Sequence, residues 1–188
     1  MPHRHPKPPP TIPTLWLMTD ERMGERLWSA IAALPRGAGI VFRHYATSPR
    51  DRRALFARVA ALARRKHLIL VRAGPKRLGR HEAGVHGALT GRGLRTWAAH
   101  SRTEAVAGKR GGAAALFVSP IFPTRSHPGA RASGPLRAAG IARGLGLPVI
   151  ALGGLDARRF RRLRGLGFHG WAAIDAWLPD QKRNAVPT

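Results

Sequence analysis

Short apolar runs alternate with longer stretches of helical spacing along almost the whole chain, and this alternation constrains the fold more than any other feature. The runs are Leu15–Met18, Ile40–Phe42, Leu68–Val71, a minimal one at Val85, a weak one at Thr96–Ala99, then Ala114–Val118, Pro148–Leu152 and Trp171–Ile174. Between them, Glu21–Leu34 spaces Leu27, Ile31 and Leu34 along one helical face, and Arg50–Arg65 does the same with Leu55, Val59 and Leu62. Thr103–Lys109, Leu136–Leu145 and Ala157–Leu166 are further helical stretches. A strand buried on both faces has no polar side to alternate with, so it appears as a continuous apolar run, and parallel neighbours need a crossover between them. Eight runs predict a closed (β/α)8 barrel, whereas six or seven would suit a doubly wound sheet. At 188 residues the chain is short for such a barrel, for which about 250 is typical, so its helices must be trimmed. After Asp175 only Ala176–Thr188 remain, with Pro179 and Pro187, which predicts an incomplete eighth helix. The expected organisation is a basic, proline-rich arm over 1–13, a barrel over 14–178 and a tail over 179–188.

Composition narrows the chemistry. There is no cysteine, which excludes disulfides, thiolate nucleophiles and cysteine-ligated metals. Nothing approaches the roughly 18–20 apolar residues of a membrane span, and the arm lacks the apolar stretch of a secretory signal, so no membrane partner and a cytoplasmic location are expected. The net charge is +24, and of 33 basic residues five are lysine, leaving 28 arginines. Such a balance points to a polyanion, nucleic acid first, with the five tryptophans as stacking surfaces. It is equally what compositional drift produces, since Arg, Ala, Gly and Pro are abundant together and the arginines are spread along the chain.

The runs share a further property: nearly all end in a polar residue or glycine. Thr19 and Asp20 follow the first, Arg43 and His44 the second, Arg72 the third, His86 the fourth, and His100 and Ser101 the fifth. Ser119, the pair Gly153 and Gly154, and Asp175 follow the last three. In a barrel all of these converge on the C-terminal mouth, where barrel active sites lie. Five basic or imidazole groups on one rim (Arg43, His44, Arg72, His86 and His100) point to an anionic ligand. Glycines let backbone N–H groups approach a phosphate, so Gly153 and Gly154 are candidate phosphate holders, with Asp156 as the cap of the helix that follows.

Several segments, in order, resemble the thiamine-phosphate synthase / TenI family. They are Leu15-Trp16-Leu17-Met18-Thr19-Asp20, Gly84-Val85-His86, Ala99-His100-Ser101 with Glu104, Ser119-Pro120-Ile121-Phe122-Pro123-Thr124, and Pro148-Val149-Ile150-Ala151-Leu152-Gly153-Gly154-Leu155. The resemblance implies a TIM barrel in thiamine biosynthesis and a small phosphorylated thiazole or pyrimidine ligand. The family joins a pyrimidine methyl diphosphate to a thiazole phosphate with Mg²⁺ on the diphosphate, and some TenI relatives tautomerise the thiazole phosphate instead. By position it implies His86, His100, Ser126 and His127 as catalytic candidates, and Arg43, Arg72, Ser119, Thr124, Gly153, Gly154 and Asp175 as ligand contacts.

The departures from the family pattern matter as much. Of an alternating Gln, Arg and Lys on the second strand, Val41, Arg43 and Tyr45 retain only the arginine. Arg72 and Gly91 stand where the family carries its magnesium carboxylates, and a cation cannot ligate Mg²⁺. Ser126 and His127 replace Thr-Lys, Asp175 replaces a phosphate-facing serine, and Pro120 stands where tautomerising relatives have a histidine. No metal site and no cofactor are therefore expected, and Arg72, assisted by Arg43, is expected to face a phosphate in place of the metal. The alternatives to a family enzyme with altered chemistry are a non-catalytic, regulatory phosphate-binding barrel and a nucleic-acid-binding protein. A homo-oligomer would also cover the gap left by the eighth helix.

Overall fold

The computed structural model describes residues 11–88, 90–124, 129 and 131–177. Eight parallel strands close into a barrel in chain order: β1 (Leu15–Met18), β2 (Gly39–Phe42), β3 (Ile69–Ala73), β4 (Gly84–His86), β5 (Leu94–Ala99), β6 (Ala115–Val118), β7 (Val149–Leu152) and β8 (Gly170–Ala173). Every predicted run carries a strand. Five helices lie between them: α1 (Arg26–Ala33), α2 (Pro49–Arg65), α3 (Arg102–Arg110), α4 (Pro135–Ala142) and α5 (Ala157–Arg161). Among the described residues no helix covers the connections β3–β4 and β4–β5, which is where the chain saves length. A 3-10 turn, Asp175–Trp177, follows β8, and the tail predicted over 179–188 lies outside the described residues, as does the arm before residue 11. No helix among the described residues is long and apolar enough to cross a membrane.

Strand register decides which side chains fill the barrel, because neighbours in register point to the same side and successive residues to opposite sides. Trp16 points inward, its ring 5.2 Å from that of Phe117 in an edge-to-face contact, with its indole N–H donating to Pro13 O at 2.7 Å. A Cβ on Gly39 would lie 2.1 Å from the Trp16 ring, so the glycine makes room for the plug. Val41 and Val71, paired in register, continue the inner face, and Ala73, His86 and Thr96 form its next row. Trp171 pairs with Leu15 and Ala151 and points outward, where Trp177 stacks on it at 5.0 Å and 8°. Trp97 is likewise on the outer face, beneath Gly108 of α3. Trp16 thus fills the barrel, whereas Trp97 and Trp171 pack against the layer outside it.

Candidate functional site

The C-terminal mouth opens into a cavity of about 450 Å³. Arg43, Ser119 and Thr124 line it together with His100, Gly153, Gly154 and Asp175. The barrel thus brings together seven residues that the sequence nominated from five different strand ends.

Arg43 follows β2 on the inward phase. Its Nε donates to Thr19 O at 2.9 Å and an Nη to Asp20 Oδ2 at 3.0 Å. Burial lowers the basicity of the guanidinium and Asp20 opposes that shift, so its charge is already met before a ligand arrives. Arg52 of α2 fixes the same rim by donating to Arg43 O and Ala73 O, both at 2.9 Å. Next to Arg43, His44 turns away. Its ring stacks on Phe42 at 4.7 Å, and its Nδ1 lies 2.9 Å from the Thr19 hydroxyl.

His100 follows β5. Its Nδ1 is 2.7 Å from Ser119 O, and a carbonyl only accepts, so the neutral ring carries its proton on Nδ1 and leaves Nε2 as an acceptor. The neighbouring family-like residues explain its placement. Ser101 Oγ accepts from Glu104 N at 3.2 Å, and Glu104 Oε2 accepts from His100 N at 2.7 Å, a capping-box exchange at the start of α3. The motif Ala99-His100-Ser101 with Glu104 is therefore a helix cap that holds one imidazole at the rim.

Gly153 and Gly154 bring the β7–α5 loop against the β6–α4 loop. With φ of 102° and 60°, both occupy left-handed backbone, and a Cβ on Gly154 would sit 2.4 Å from Pro123 O. Their glycine character is required by this loop-on-loop packing. Asp156 caps α5 as expected, its Oδ1 accepting from Arg159 N at 2.7 Å. Arg159, which sequence reading left among the basic residues of that helix, lines the cavity and donates to Gly154 O at 2.5 Å, its guanidinium 5.8 Å from the Phe122 ring. Its position three residues after the predicted cap, in the first turn beside the loop, is the signal that would have found it.

Two expected contacts fall elsewhere. Arg72 is in register with Phe42, not with Arg43, and so belongs to the outer face of β3. It is 5% exposed, beneath the β3–β4 connection. Its Nε meets Glu82 Oε2 at 2.9 Å and an Nη donates to Gly74 O. Glu82 Oε1 in turn accepts from Leu78 N and from Gly79 N, the latter at 3.0 Å. Arg72 is thus a structural staple and does not face the cavity. His86 is on the inner face but below the mouth, 6% exposed, with Nδ1 2.9 Å from Thr96 Oγ1 and its ring edge-to-face with Phe117 at 5.0 Å. Burial, with the charge of Arg43, holds its pKa down at about 4, so it is a neutral core residue near pH 7. Ser126 and His127 lie outside the described residues.

Among the described residues, the cavity wall is close to charge balance, with Arg43 and Arg159 alongside Asp156 and Asp175. The residues do not fit Mg²⁺ where the resemblance would place it: Arg72 is a cation committed to Glu82 on the far side of the strand, and Gly91 has no side chain. Among the described residues no three His, Cys, Asp or Glu cluster as a metal site would require.

Comparison with known proteins gives a consistent set of likenesses. A family model described as thiamine monophosphate synthase matches residues 85–177. Thiamine-phosphate synthases from two strains of Desulfitobacterium hafniense, Y51 and DSM 10664 / DCB-2, are 37% identical over 82 residues, 43% of this chain and 40% of theirs. The matched segment is thus well under half the length of these curated relatives. Among solved structures, a thiamine phosphate pyrophosphorylase from Pyrococcus furiosus superposes with a TM-score of 0.73 at 22% identity, covering 87% of this chain and 86% of its own. A thiamine phosphate pyrophosphorylase from Bacteroides thetaiotaomicron gives 0.55 at 19% identity, covering 87% and 83%. At these identities the structural matches speak for the fold.

Proposed function

We propose that the chain is a member of the thiamine-phosphate synthase / TenI family, to which its sequence and fold are similar, and that its barrel mouth binds thiazole phosphate and serves thiamine biosynthesis without the family's magnesium-dependent diphosphate chemistry. The observation that carries this reading is the cavity itself, in which the family-matched Arg43, His100, Ser119, Thr124, Gly153 and Gly154 meet Asp175. The charge balance of its wall selects between the family's two ligands. A pyrimidine diphosphate brings several negative charges into a space whose two described arginines are already engaged, Arg43 by Asp20 and Arg159 by Gly154 O, with the carboxylates of Asp156 and Asp175 also on the wall. Diphosphate departure needs a metal or a free cation to hold the leaving charge, and the described arginines of the wall are already engaged. A phosphate monoester on a heterocycle needs less: glycine backbone beside Arg159 for the phosphate, and apolar wall from Leu152 and Ile174 for the ring.

In this reading His100 is the group that moves a proton. With Nδ1 tied to Ser119 O, its Nε2 accepts a proton from a ring bound in the cavity and returns it to another ring position, an isomerisation that consumes nothing else. The test is thiazole phosphate in deuterated water, followed by proton NMR. Enzyme-dependent deuterium uptake into the ligand, lost in His100→Gln while saturable line broadening of the ligand persists, is the expected result. Broadening without exchange in the wild type would leave a binding barrel with no turnover, and no broadening at all would refute the proposal.

A further inference from the structure

The mouth does not account for the excess positive charge, and the outer surface shows where much of it gathers. Besides Arg159 at the mouth, Arg158, Arg161, Arg162 and Arg164 fall in and just after α5, all exposed. Between Glu104 and Asp175 the sequence contains a single carboxylate, Asp156, and that one caps α5. Arginines three and four residues apart face one another on a helix and repel, so this surface is electrostatically unfavourable on its own.

Beside it runs a groove of about 420 Å³ between α4 and the segment after α5. Leu136, Ala139 and Arg143 line one wall at helical spacing, and Leu147 and Leu166 line it from below. Leu136 is 76% exposed, an unusual state for a leucine at the start of a packed helix. The groove is framed by the same tetrapeptide used twice: Arg143-Gly144-Leu145-Gly146 after α4 and Arg164-Gly165-Leu166-Gly167 after α5, leading into the adjacent strands β7 and β8. Gly144, Gly146, Gly165 and Gly167 all have left-handed backbone, and a Cβ on any of them would meet nothing within 4 Å. Two matching turns thus present open backbone to the same groove, with Arg143 on its wall and Arg164 exposed one residue before Gly165.

We propose that this groove docks an acidic, amphipathic segment of a partner protein, with apolar side chains on Leu136, Leu147 and Leu166 and carboxylates on Arg143, Arg164 and the α5 arginines. Charge complementarity selects this occupant. A second copy of the chain meeting the groove isologously would set the same arginines against themselves. Residues 1–13 contain no carboxylate, and residues 178–188 contain only Asp180 beside Lys182 and Arg183. A nucleic acid would satisfy the arginines and leave the leucines uncovered, whereas an amphipathic helix in a groove satisfies both.

The experiment uses the full chain and fluorescence anisotropy. The probe is a labelled helical peptide of about 20 residues with leucines at i, i+3, i+4 and i+7 and glutamates elsewhere. Its comparators are a shuffled peptide of the same composition and a uridine oligonucleotide of similar length. The ordered peptide is expected to bind at least about tenfold more tightly than the shuffled one, with Leu136→Asp and the double variant Arg143→Glu/Arg164→Glu each weakening it by about tenfold or more. Arg50→Glu on α2 is expected to leave it unchanged. Equal binding of ordered and shuffled peptides, tighter binding of the oligonucleotide, or indifference to these substitutions would overturn the proposal. Thiazole phosphate binding by the same variants reports separately on the mouth.

Discussion

Arg72 shows how much a single residue's phase along a strand decides. Its place at a strand end is legible in the sequence, but the side it faces is not, because a shift of one residue in register moves a side chain to the opposite face. Its partner Glu82 is ten positions away in a loop whose path no local pattern announces. With side chains 6% and 11% exposed, the pair is buried, and removing one member of such a pair typically costs about 3–5 kcal/mol. Arg72→Ala is therefore expected to lower the unfolding free energy in denaturant titration by about that amount, while thiazole phosphate affinity in the residual folded protein stays at the wild-type level. His86 belongs to the same scale. Its pKa is depressed from 6.5 to about 4, so the folded state favours the neutral ring. The resulting stability is present above pH 6.5 and is lost as pH falls towards 4, a difference of about 3 kcal/mol. His86→Gln is expected to flatten this part of the stability–pH curve, measured by chemical denaturation at intervals between pH 7 and pH 4. An unchanged slope would show that the acid sensitivity lies elsewhere.

At the scale of elements, strands were more legible than loops. Apolar runs identify all eight because most are buried on both faces, with β5, where buried and half-buried residues mix, as the exception; at the faint β4 a Cβ on Gly84 would strike the Leu94 backbone at 1.8 Å. Helix lengths were less legible. The predicted helix Glu21–Leu34 is broken at Gly24 into a 3-10 turn and α1, and Ala157–Leu166 stops as a helix at Arg161. The β6–α4 and β7–α5 loops form one unit at the mouth, with Phe122 N donating to Gly153 O at 3.1 Å and Ile121 N to Leu152 O at 3.0 Å. Gly154 is where they touch most closely. Gly154→Ala places a methyl against Pro123 O, and its left-handed backbone alone costs about 1–2 kcal/mol. The expected result is a lower melting temperature together with weaker thiazole phosphate binding, since the two loops must separate. If calorimetry showed full affinity at reduced stability, the paired loops would not be part of the binding surface.

For the whole molecule, the sequence made the charge conspicuous and the fold shows its distribution. Among the described residues, two arginines stand in the cavity wall, Arg43 and Arg159, each set against acidic or carbonyl oxygens. No composition argument separates a cationic surface from a balanced mouth, because that separation arises only when the barrel closes and sorts side chains by direction. The same sorting removes Arg72 from the mouth and leaves the wall on which the proposed binding of one phosphate on a small ring rests. Calorimetric titration of the full chain with thiazole phosphate and with pyrimidine methyl diphosphate, each with and without Mg²⁺, tests this account most directly. Saturable binding of thiazole phosphate with an affinity independent of Mg²⁺, and no comparable heat from the diphosphate in either condition, is the predicted result. Tight, Mg²⁺-dependent binding of the pyrimidine diphosphate would contradict it.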